Sequence, residues 1–263
     1  MRRLVLAAAL VAAGSLVPRS SDAAERWVDR PMTLHRLVFA GDAGLGIGHA
    51  DRGHFDFTGP GLNLEGALGV TENVELGLRT GIRFGDDARF AGGDYYGRTL
   101  WTETYGTGGD TFANPELRVR WVFYSGSVAE VGLDGRVYMP IEDGTRFGVM
   151  FGVPLAFHLS DFMRIDTGAY LPTIFTDPAQ ISLTVPGYFW FQVTEKLWLG
   201  PQASARFFSF SNHFHHNDLL LGFGMGYQVI SMLDLKWWAV APNVDDGLHN
   251  WGVGFGVQFR LGE

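Results

Sequence analysis

Twelve stretches of this chain alternate, residue by residue, between apolar side chains and polar ones or glycine. A period of two is the period of a β-strand with unlike faces, so the chain is read as all-β. The closing stretch shows it best. Trp251, Val253, Phe255, Val257, Phe259 and Leu261 share one face, and Gly252, Gly254, Gly256, Gln258 and Arg260 share the other. One face suits lipid and the other suits a small wet lumen, which is the pattern of a membrane-spanning barrel.

The stretches run over Leu37–Gly48, Leu62–Val70, Val74–Phe84, Pro115–Tyr124, Val128–Ile141, Phe147–Leu159, Met163–Leu171, Ile181–Val193, Leu197–Phe207, Leu219–Val229, Leu233–Ala241 and Trp251–Leu261. Connections after the even-numbered stretches are short, as in Thr71-Glu72-Asn73 and Thr194-Glu195-Lys196, and most of the others are longer. That rhythm predicts a transmembrane antiparallel up-and-down barrel of about twelve strands, with short periplasmic turns, longer outer loops and both termini periplasmic. Pro140, Pro154, Pro172, Pro186 and Pro201 fall in or beside strands, where bulges are expected, and a misplaced pair of strands would lower the count to ten.

Beyond the N-terminus no uncharged apolar run approaches the roughly 18 residues that a membrane helix needs. A closed barrel is the other way to cross a bilayer with every backbone group paired. Residues 1–23 read as a secretory signal: Arg2 and Arg3, then an apolar run from Leu4 to Ala13, then small residues at Ser21-Asp22-Ala23. Residues 24–33 are expected to be a periplasmic N-terminal segment and residues 34–263 the barrel domain. Without the signal the chain loses Arg2, Arg3, Arg19 and Asp22, leaving a net charge of minus ten, which argues against nucleic-acid binding. There are no cysteines, so sheet closure rather than disulfides must stabilise it.

On the face assigned to the lumen stand Asp42, Glu65, Glu75, Glu116, Glu130, Asp134 and Asp166 with Arg79, Arg83, Arg118, Arg120, Arg136, Arg164, Arg206 and Arg260, joined by Asp234 and Lys236. The near balance of signs predicts cross-barrel ion pairs, and these residues are the candidates for a constriction that orders a small polar solute. Tyr138, Tyr170, Tyr188, Trp190, Trp198 and Trp238 also point inward, while Tyr124, Phe189, Trp190, Phe191, Trp198, Tyr227, Trp237 and Trp251 lie near strand ends, where interfacial girdles form. His158 is expected to be a hydrogen-bonded lumen residue.

One loop cluster, Ser211, His213, His215 and His216 with Asn212 and Asp218, contains the residue types of a hydrolase triad. A triad is recognised by geometry, and adjacency within one loop is a weak warrant for it. Two histidines without a clear third ligand make an equally weak metal site, and no motif calls for a cofactor. Loop residues on the longer-loop side are mainly acidic, among them Asp86, Asp87, Asp94, Asp110, Asp245 and Asp246.

Together the signal, the Gly-Val-Thr-Glu-Asn turn at Gly69–Asn73 and the closing strand Gly252–Leu261 resemble the Gram-negative outer-membrane β-barrel class, including its small twelve-stranded members. The last strand is similar to the C-terminal assembly signal of such proteins, although it ends Leu261-Gly262-Glu263 instead of on an aromatic residue. The resemblance implies residence in the outer membrane, insertion by the outer-membrane assembly machinery, and contact with lipids including lipopolysaccharide. It names no solute. Three functions fit: a narrow passive channel or uptake protein for small solutes, a structural or surface-binding barrel with an occluded lumen, and a lipid-modifying enzyme.

Overall fold

The computed structural model describes residues 25–51, 56–83, 112–141, 145–175, 177, 179–207, 217–241, 244 and 249–262. Twelve strands follow one another in chain order: β1 (Phe39–Asp51), β2 (Asp56–Thr71), β3 (Val74–Arg83), β4 (Phe112–Ser125), β5 (Ala129–Tyr138) and β6 (Gly148–Ser160), then β7 (Met163–Ile174). The circuit continues through β8 (Gln180–Ile181 and, after a break at Ser182, Leu183–Gln192), β9 (Leu197–Phe207), β10 (Asn217–Ile230), β11 (Leu233–Ala241) and β12 (Asn250–Leu261). Each strand is antiparallel to the next, and β12 returns to β1 in the register Phe39↔Leu261 to Ala50↔Asn250. The sheet is closed, so every strand has two neighbours and no edge is left to solvent or lipid.

Burial confirms which face is which. In β5 the inward set Glu130, Asp134, Arg136 and Tyr138 is buried while Leu133 is exposed, and in β3 Glu75 and Arg79 are buried while Leu76 and Leu78 are exposed. An exposed apolar band around a charged interior inverts a soluble fold and is the arrangement that lipid favours. Trp190 and Trp198 belong to the interior, not to the girdle. Tyr124, Phe189, Tyr227 and Trp251 remain on the outside.

Two expectations are corrected. The first hairpin is longer than its alternation indicated: β1 runs on to Asp51 and β2 begins at Asp56, leaving only residues 52–55 between them where a longer connection was expected. Strand pairing does not stop where the lipid band stops, so polar residues continue the ladder beyond it. The prolines also make no bulges. Pro154 pairs with Gly168, Pro172 with Met150, Pro186 with Ser204 and Pro201 with Phe223 without a change of register, and Pro140 lies past the end of β5. Gly168 makes one of these pairings possible. Its φ of +155° suits glycine, and a Cβ there would stand 2.6 Å from the Val153 carbonyl oxygen.

Register shifts fall instead at Gly69/Thr71, Val122/Tyr124, His158/Ser160 and Gln228/Ile230, each close to a short turn, and at Arg79/Gly81. Bulges bend a strand, and here four of them sit around the short-turn rim.

Candidate functional site

The interior of this barrel is a network of ion pairs. Arg118 on β4 reaches Glu65 on β2 at 2.9 Å and Glu75 on β3 at 2.8 Å. On the same wall Asp134 takes a hydrogen bond from Arg120 at 2.8 Å and another from Arg136 at 2.8 Å, while Arg136 also reaches Glu116 at 2.8 Å. Further round, Arg164 pairs with Asp166 at 2.8 Å, Lys236 with Asp42, and Arg260 lies 3.8 Å from Asp234. All of these side chains are buried. Alternation puts them there: with a period of two, any charged residue in step with the inward set must meet the charges of neighbouring strands.

The described residues expected to face the lumen therefore come together there. Glu130 is bound to a backbone amide rather than to an arginine, and Arg206 is buried on β9. The backbone of Arg83 ends β3, opposite Gly61. The side chain of Arg83 and the loop cluster Ser211, His213, His215 and His216 lie outside the described residues, as do the acidic residues named above in the longer loops and the segment Gly85–Thr111. Among the described residues, no group of three or more His, Asp or Glu is placed to hold a metal ion.

What the alternation did not reveal is a strand of polypeptide across the lumen. The segment Trp27–Leu34 lies inside the barrel, with Trp27, Val28, Arg30, Met32, Thr33 and Leu34 all buried. Its backbone is bound to the wall at alternate residues, Val28, Arg30, Met32 and Leu34. The Val28 N–H donates to Gln192 Oε1 at 3.3 Å and its carbonyl accepts from His158 Nδ1 at 2.8 Å, on the β8 and β6 sides. The Arg30 carbonyl accepts from Arg164. Met32 N–H donates to Glu130 Oε2 at 2.6 Å, the Met32 carbonyl accepts from Arg120 at 3.3 Å, and Leu34 N–H donates to Glu75 Oε2 at 3.0 Å.

Thr33 Oγ1 then donates to the Glu72 carbonyl at 3.0 Å in the β2–β3 turn, and Leu37 N–H to Gly69 O at 2.7 Å, after which β1 begins. Gln192, Glu72, Glu75, Glu130 and His158 all sit at or near the short-turn ends of their strands. The segment is thus a crossbar at that rim. His158 is a hydrogen-bonded lumen residue as expected, and its partner is the crossbar.

Two side chains lock the crossbar further. Arg30 makes a two-pronged contact with Asp234, at 2.6 and 3.3 Å. Trp27 stacks parallel on Trp198 with ring centroids 4.8 Å apart and meets Trp190 edge-on at 5.8 Å. The tryptophans are seated by glycine: Cβ atoms at Gly224 or Gly226 would collide with the rings of Trp190 or Trp198, and at Gly44 or Gly254 with Trp238. Runs of inward glycine on β1, β10 and β12 therefore form a flat wall against which indoles lie.

The fold of the wall is shared. The fold is that of the outer-membrane β-barrels. The KdgM porin superposes with a TM-score of 0.56 at 8% identity, over 83% of this chain and 98% of that one. The NanC porin gives 0.55 at 10% identity, over 82% and 98%. The COG4313 outer membrane channel from Pseudomonas putida F1 gives 0.57 at 9% identity, over 93% and 100%. At such identities the likeness is one of fold. No protein-family model matches the chain, and no curated protein matches it in sequence.

Proposed function

We propose that this protein is a narrow channel for small solutes in the Gram-negative outer membrane, with both termini periplasmic and with its own N-terminal segment as the closure at the periplasmic rim. The observation that carries the reading is the crossbar itself. A barrel whose only task was to be rigid would have its lumen filled by the wall; here the filling at the short-turn rim is a separate segment that joins the wall at β1. It is held by hydrogen bonds to side chains rather than by a strand ladder, so it can leave without breaking the sheet. The fold likeness to two porins and a channel supports the same reading. A twelve-stranded barrel lies between filled eight-stranded and open sixteen-stranded ones, so conductance should be small.

Single-channel recording in planar bilayers tests this. The full chain is expected to give rare, small openings, and a variant lacking residues 25–34 a larger and steadier conductance. A folded deletion variant that never conducts would overturn the channel reading. It would favour the second one, a structural or surface-binding barrel with a blocked lumen, for which the near-complete burial of the inner charges speaks. The lipid-hydrolase alternative rests on Ser211, His213, His215 and His216, which lie outside the described residues.

A further inference from the structure

On the reading of the crossbar as a movable closure, we infer that Trp27 and Arg30 occupy a solute seat belonging to the barrel, and that the seat takes small organic cations carrying a flat apolar ring. The wall components have supports of their own apart from the segment. Trp190 donates its Nε1–H to Asp166 at 3.1 Å and its ring lies against Gly224, while the Trp198 ring lies against Gly226. Asp234, on the adjoining β11, is buried beside Arg260. Ring face, ring edge and carboxylate together present what a ring-bearing cation needs: an apolar surface, a polarizable π-face and a countercharge.

The occupant matches that chemistry piece by piece. The Trp27 indole fills the ring position, parallel to Trp198. The Arg30 guanidinium fills the cation position on Asp234 and stands 5.1 Å from the Trp27 ring and 5.5 Å from the Trp198 ring. The match is imperfect at one atom. The indole N–H of Trp27 is buried and has no acceptor, so a ring without a donor suits the position better than the residue that holds it. A solute of this class would displace the crossbar from within, and its binding would be coupled to opening because both compete for the same surface.

The test uses phenethylamine, which joins a donor-free ring to an ammonium, with phenethyl alcohol and butylamine as probes lacking the charge and the ring. Titration calorimetry is run on the refolded full-length barrel, on Trp27→Ala/Arg30→Ala, and on Arg30→Gln, which keeps the segment's length and bulk should the double variant fail to fold. The double variant is expected to bind phenethylamine at least tenfold tighter than the unaltered barrel, and Arg30→Gln tighter by a smaller factor. The double variant should bind phenethylamine at least tenfold tighter than either control, and adding Asp234→Asn should remove its preference for the amine over the alcohol. Folded variants that bind it no better than the unaltered chain, or that bind all three probes alike, would overturn the seat. Conductance separates the two ideas: a deletion variant that conducts while these variants bind nothing sinks the seat alone, whereas binding without any conductance sinks the channel alone.

Discussion

The Met32 backbone N–H donates to Glu130 Oε2 at 2.6 Å at the short-turn rim, so this buried carboxylate serves the crossbar and, through Oε1, Ser125 rather than an arginine. Leu34 N–H donates likewise to Glu75 Oε2 at 3.0 Å, while Glu75 Oε1 holds Arg118 at 2.8 Å. Replacing both acceptors, as Glu75→Ala/Glu130→Ala, removes one of Arg118's two carboxylates in open and closed states alike and leaves two buried amides unpaired in the closed state alone, at about 1–3 kcal/mol each. That energy bears on the closed state more than on the open one, where the amides meet water. Open probability in planar bilayers should rise by at least a factor of about five, following the usual conversion of such energies into populations. An unchanged open probability would mean that the segment does not leave the lumen.

Asp134 stands between Arg120 and Arg136, accepting from both. Asp134→Ala strands two buried guanidinium groups with too few acceptors, and removing one partner of a buried ionic set costs about 3–5 kcal/mol. The midpoint of urea unfolding in detergent, followed by the gel mobility of folded against unfolded barrel, should fall accordingly. Asp161→Ala, in the exposed β6–β7 turn, is the comparison and should leave the midpoint in place.

The wall was legible in the sequence and the crossbar was not, for a physical reason. Alternation records an environment that differs between two faces, so Leu133 and Asp134 announce their sides without any tertiary knowledge. The segment Arg26-Trp27-Val28-Asp29-Arg30-Pro31-Met32-Thr33-Leu34 opens with the short 3-10 turn Trp27–Asp29 and buries consecutive residues inside a charged tube, so it carries no period of two. Its composition held the only hint: a tryptophan, a valine, a methionine and a leucine, with an arginine and a proline among them, are costly to leave in water. Partner choice was hidden too. That Arg118 takes both Glu65 and Glu75 follows from register and side-chain reach, neither of which the period fixes.

The two faces of β12 give a directional test. Phe255 points outward between Leu45 and Trp237, half-way along the strand. Phe255→Arg should destabilise the inserted barrel by about 2–4 kcal/mol, the range for a basic residue near the bilayer midplane. Its neighbour Gly254 points inward against the Trp238 ring, so Gly254→Leu should destabilise by overpacking, about 1–3 kcal/mol, in any medium. Urea midpoints in lipid vesicles and in detergent distinguish the causes, because they probe the outer face differently. Equal effects of Phe255→Arg in a thick and a very thin bilayer would contradict the outward assignment.

Because the chain contains no cysteine, a pair introduced at Val28 and His158 would report on the crossbar without background. The Val28 carbonyl and the His158 ring are in hydrogen-bond contact at 2.8 Å, and Val28 lies inside the rim while His158 stands on the wall near the end of β6. A short thiol-reactive bridge between Val28→Cys and His158→Cys should form in high yield in the folded barrel and fix the segment across the lumen. Bridged protein is expected to lose its openings in planar bilayers, and a reductively cleavable bridge should restore them on reduction. The single variants should behave alike with and without the reagent, apart from a modest gain in opening from His158→Cys, which removes a donor to the Val28 carbonyl. Efficient bridging that leaves conductance untouched would show that solute passes beside the segment, and the crossbar would then be a fixed constriction whose lining, not whose movement, sets what can cross.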